Sequence, residues 1–152
     1  MHVGNYIGLV QSSEQQLANA FAQVADHHGD EPDIYQVCQT LSGWSQQHVT
    51  DLQPLVDRYA ATKNDEPDRL SQTLFKEPRS GGLALLRDLH DLYLLASEVE
   101  LCWVVLLQAA RGLRHQELES RCEEFDKTTK RQITWLMTRI KQAAPQTLIV
   151  AE

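Results

Sequence analysis

The sequence predicts an all-α protein, a single bundle of four long helices with a long crossover between the second and third. Three observations carry this expectation. Apolar residues recur at helical spacing from residue 5 to residue 144, while strand alternation is weak. Glycines and prolines fall where such helices would begin or end. The connections between the predicted helices run short, long, short, and an extended stretch of about 20 residues reaches the length of a bundle at roughly 3.3 Å per residue. The chain has 152 residues, which is one domain by length (1–152) and enough to bury a core.

The first helix is expected over about 5–28. Ile7, Val10, Glu14, Leu17, Phe21, Val24 and His28 share one face, and Gly29 ends it. An alternative start lies at Ser12 or Ser13, which form a capping-box pattern with Gln15 or Gln16. The second helix is expected over about 31–61. Asp30 can cap it, Pro32 suits its first turn, Asp33 suits its dipole, and Pro54 should kink it. Residues 62–81 are irregular, and "DRLSQTLF" (68–75) offers one short helical turn. The third helix follows Gly81-Gly82 over about 82–111, with Gly112 as its C-cap. The fourth is expected over about 115–144 and stops before Pro145, leaving 145–152 as a tail. Its first half places acids before bases, which reads as a solvated face.

Composition narrows the function classes. A net charge of -7 disfavours a broad grip on nucleic-acid phosphates or on an anionic membrane. Cys38, Cys102 and Cys122 are far apart, form no C-x-x-C pair and lie in apolar helical pattern, so buried reduced thiols and a cytoplasmic location are expected. The N-terminus lacks the basic region, apolar run and cleavage site of a signal peptide. Residues 92–107 are the most apolar stretch, yet they carry two carboxylates and are short for a membrane span.

The candidate chemistry lies at the helix midpoints. Each buried stripe holds a polar intruder: Glu14 on the first helix, Ser45-x-x-His48 on the second, Glu98 or Glu100 on the third, and Thr129-x-x-Gln132 on the fourth. Glu98 and Glu100 lie about 200° apart and cannot share a face. Glu14 precedes Ser45 by 31 residues and Glu98 precedes Thr129 by 31, so the two hairpins place a Glu opposite a polar pair in one register. That repeat favours Glu98 over Glu100.

With its helix layout, the stretch "SSEQQLANAFAQVADHH" and this polar register, the chain over residues 5–144 resembles the ferritin-like superfamily of bacterioferritins, rubrerythrins and stress-associated bundles. In that family the first and third helices each supply a Glu, and the second and fourth each supply Glu-x-x-His, to hold two metal ions. The resemblance implies ligand roles for Glu14, His48 and Glu98. It also shows departures: Ser45 stands where a Glu belongs, and Thr129 and Gln132 replace the last Glu and His. Hydroxyls and a neutral amide are poor metal ligands beside carboxylates. The implied capacity falls to one divalent ion (iron, manganese or zinc) or none. The leading expectation is therefore a non-catalytic or weakly metal-binding bundle, stress-related or an interaction module. Its rival is a di-metal oxidoreductase or iron-binding protein of the same superfamily, using ligands such as Glu100, Glu124 or Asp126. A third class is a helical adaptor whose polar residues simply bond one another.

Other features carry less. His27-His28 is a weak match to histidine-rich hemerythrin bundles, which need about five His ligands, whereas this chain has 6 His in all, with His2, His90 and His115 near ends or exposed faces. Trp44, Trp103 and Trp135 read as core or interface aromatics, and "RSGGLALL" lacks the spacing of a phosphate loop. The third helix is apolar on nearly all faces between Leu92 and Leu107, more than one buried stripe requires. A homodimer through that helix is expected.

Overall fold

The computed structural model describes residues 1–63 and 73–150. Its elements are α1 (Val3–His27), α2 (Pro32–Arg58), a 3-10 turn (Ala60–Thr62), α3 (Ala84–Leu113), α4 (Gln116–Pro145) and a π-helical turn (Gln146–Val150). No strand occurs among the described residues.

α1 and α2 form one antiparallel hairpin and α3 and α4 the other, with α1 packed on α3. Polar contacts fix the directions. The Gly4 N–H donates to Thr62 Oγ1 (2.9 Å), and Ser42 Oγ donates to the Ala18 carbonyl (2.7 Å). His28 at the end of α1 meets Asp88 near the start of α3. Arg58 pairs with Glu117 (3.7 Å), while Arg139 pairs with Asp33 (2.7 Å) at the other end. So α2 finishes where α1 begins, and α3 starts where α1 ends. A 25-residue helix is about 37 Å long.

The helix boundaries differ from expectation at three places. α3 runs through Gly112 to Leu113, and the left-handed cap residue is Arg114 (φ 56°) rather than a glycine. α4 does not stop before Pro145. It includes that residue and continues as a π-helical turn, the wider hydrogen-bond pattern following the residue that has no N–H to donate. Asp30 is not the cap of α2; Glu31 holds the cap position, without a side-chain cap bond, and Pro32 opens the helix. The alternative start at Ser12 or Ser13 is not used, since α1 begins at Val3. Most of the proposed turn at 68–75 lies outside the described residues, and 73–75 are not helical.

The core forms along the stripes that the heptad-like spacing marks. Leu92, Leu95, Val99, Cys102 and Leu106 line α3's inner face, with Phe21, Leu52, Phe125 and Leu136 from the other helices. Phe75, from the segment before α3, is also buried there. α3 is the one helix among the described residues long and apolar enough, by length and composition, to cross a membrane; its inner face packs on α1 and α4. Its outer face leaves Leu94 and Leu101 more than half exposed, at 55% and 61%, with Val104 and Val105 beside them.

Candidate functional site: a buried polar centre

The midpoints of α1, α2 and α4 converge on a buried polar cluster. Glu14, Ser45, Thr129 and Gln132 are each 0% exposed and His48 is 5% exposed, so a polar atom left unpaired there is costly. These residues stand on the same stripes as Leu17, Leu41, Leu52, Phe125 and Leu136. Helical periodicity carries them inward with the apolar side chains.

Three hydrogen-bonded groups make up the cluster. His48 Nδ1 lies 3.0 Å from Glu14 Oε1, the ring N–H donating to the carboxylate. The His48 ring packs on Phe125 (centroids 4.5 Å apart) and meets Trp103 edge-on (6.2 Å). In the second group, Gln132 Nε2 donates to Ser45 Oγ (2.8 Å) and to the Leu41 carbonyl (3.0 Å). The fully buried Trp103 joins from α3: its Nε1–H donates to Thr129 Oγ1 (3.1 Å), and Thr129 donates in turn to the Phe125 carbonyl (2.9 Å). Two of its buried acceptors, Glu14 Oε2 and Gln132 Oε1, have no hydrogen-bond partner among the described residues.

Glu98 does not share this arrangement. It is half-buried on α3's flank, where the Cys102 thiol donates to its Oε1 at 3.8 Å. At about 100° per residue, Glu98 and Glu100 both sit roughly 90–110° from the centre of the buried stripe, on opposite sides. The register that favoured Glu98 thus places it beside the centre, and Trp103 is the α3 side chain that enters it. Among the described residues no group of three or more His, Cys, Asp or Glu side chains is placed to hold a metal ion. Glu14 and His48 alone offer too few ligands for a closed site, Ser45 and Thr129 are engaged by protein partners, and Gln132 leaves only a neutral amide oxygen free. The residues present do not fit a two-metal centre.

Burial governs the cysteines. All three are free thiols, and desolvation first, then nearby carboxylates, pushes each up to about 12. For Cys102 those carboxylates are Glu98 and Glu14. Such thiols are poor nucleophiles at neutral pH.

Two polar contacts escaped the sequence reading. Asp88 is fully buried, lies 2.7 Å from His28 Nε2, and accepts the Arg79 backbone N–H (2.8 Å). Its signal was present, because residue 88 falls on the 92, 95, 99, 102, 106 stripe. The Tyr59 hydroxyl and His115 Nδ1 form the second contact, at the opposite end of α1. His115, at the start of α4 and so near a helix end as expected, is half-buried there. Comparison with family models, with curated proteins and with solved structures finds no match to this chain.

Proposed function

We propose that the chain is a ferritin-like bundle, with a long crossover between α2 and α3, that has given up two-metal chemistry and acts as a non-catalytic, self-associating module of the cytoplasm. The observation that carries this reading is the state of the family's ligand positions. Glu14 and His48 remain, paired with each other, while Ser45, Thr129 and Gln132 each hydrogen-bond to protein groups. The opposite placement of α2's end and α3's start supports the crossover. In this reading the polar centre fixes helix register: a buried hydrogen-bonded set tolerates only the alignment that satisfies it.

Self-association rests on α3. Its outward row of Leu94, Leu101, Val104 and Val105 is what a second copy would cover. A single ion at Glu14 and His48 is the second reading, favoured by the unpartnered Glu14 Oε2. Metal analysis separates these readings. Protein purified from medium containing iron, manganese and zinc should carry well under one ion per chain. One ion per chain, absent from Glu14→Gln, would establish the single-ion reading. Two ions per chain would overturn the proposal in favour of a di-metal oxidoreductase.

A further inference from the structure

α2 and α4 approach each other closely along little of their length, unlike the helix pairs within each hairpin. The seam between them opens as a groove with two adjoining cavities, of about 410 and 240 Å³. The Arg131 guanidinium lies over the Trp44 ring, 4.6 Å from its centroid, and this cation–π pair borders both.

The cavities differ in chemistry. The larger is lined by Val37 and Leu41 of α2, by Trp44 and by Trp135 of α4, with Thr40 at its side, and Arg131 is the only charged group among the described residues that line it. Arg131 is in no ion pair with any described residue, whereas its neighbour along the seam, Arg139, is held by Glu31 and Asp33. The smaller cavity leads to His48 and is lined by Asp51 and Glu124. Trp44 and Trp135 are both half-buried on facing helices, and Leu41 is 3% exposed beneath them. Ligand sites are commonly apolar clefts of about 300–1,000 Å³ with a few placed polar groups. The larger cavity has that size, two indoles, an aliphatic floor and one cation, the exposed Arg131, which is in no ion pair with a described residue although Asp51 and Glu124 line the adjoining cavity.

From this geometry we infer that the larger α2–α4 cavity is a binding site for a small planar aromatic carboxylate. The ring lies over Val37 and Leu41 between the two indoles, and the carboxylate meets Arg131. A guanidinium prefers a carboxylate in its own plane, which adds two charge-assisted hydrogen bonds. Contact with the Trp44 ring places the guanidinium at the cavity before the ligand arrives. An amine in place of the carboxylate is repelled by Arg131 and drawn instead to Asp51 and Glu124 in the smaller cavity. The inference uses surface residues of α2 and α4 and does not depend on the ferritin-like reading.

Calorimetric titration of the full chain with 2-naphthoate, neutral 2-naphthamide and cationic 2-naphthylmethylammonium tests it. Naphthoate should bind at one site per chain, at least about tenfold more tightly than the amide, as a charge-assisted contact requires. Arg131→Gln should bring naphthoate down to the affinity of the amide, and Trp135→Ala should weaken both. Far-ultraviolet circular dichroism checks that each variant is folded, and the three-ligand comparison on the native chain needs no variant. Equal binding of all three compounds, tighter binding of the cation, or no saturable naphthoate binding would overturn the assignment. So would a folded Arg131→Gln or Trp135→Ala chain that binds naphthoate unchanged.

Discussion

At His48, which is 5% exposed, an imidazole meets the fully buried Glu14 carboxylate. Replacing His48 leaves a buried carboxylate with neither oxygen partnered, so His48→Ala should cost about 3 kcal/mol of unfolding free energy, by analogy with broken buried pairs. Glu14→Gln keeps a hydrogen-bonding group without the charge and should cost less, about 1 kcal/mol. Urea titrations of the two variants check the order, and a smaller loss for His48→Ala would contradict the role given to the pair. Thr129 offers a cleaner case. Thr129→Val keeps the shape but strands the Trp103 indole N–H, so a loss of about 1–3 kcal/mol is expected, with altered Trp fluorescence. Full stability in that variant would mean that the indole finds another acceptor.

Between helices, short-range packing and caps decide the geometry. Arg114 holds φ 56° at the end of α3, a conformation that costs a residue with a Cβ about 1–2 kcal/mol. Arg114→Gly should therefore raise the unfolding free energy by about 1 kcal/mol, visible as a higher melting temperature; a lower one would show that the arginine side chain contributes more than the backbone loses. Gly4 is the opposite case. A Cβ there would press on the Tyr59 carbonyl and reach within 2.6 Å of Thr62 Oγ1, since α1's first turn lies against the chain after α2. Gly4→Ala should destabilise the bundle by about 1–3 kcal/mol, as overpacking does. At the other end, Asp88 ties His28, the Arg79 backbone and α3 together.

For the molecule as a whole, two properties are testable. The outward row on α3 predicts that the native chain sediments as a dimer at tens of micromolar and that Leu101→Glu sediments as a monomer; a monomeric native chain removes the self-association reading. Alkaline stability follows from the thiols. The unfolded chain begins to lose thiol protons near the ordinary value of 9.0, whereas the folded chain keeps them until about 12. The folded state therefore binds more protons in that window, and stability falls as pH rises from 9 towards 12. Below 9 both states are protonated and this contribution is constant. A Cys38→Ala chain should show a shallower alkaline decline in chemical denaturation, and an unchanged slope would remove Cys38 from the account.

The sequence by itself determined the four helices, their hairpin pairing and the inward placement of Glu14, Ser45, His48, Thr129 and Gln132. All of these follow from one local regularity, the 3.6-residue period that sends every third or fourth side chain to one face. Tertiary structure decided what that period leaves open. It placed Glu98 on the flank with Cys102, brought Trp103 into the centre, joined Asp88 to His28, and left the α2–α4 seam ajar around Arg131 and Trp44. The physical reason is that a stripe specifies which face of a helix is buried, while rotation by a fraction of a turn and the choice of partner depend on how side chains from separate helices fill the space between them.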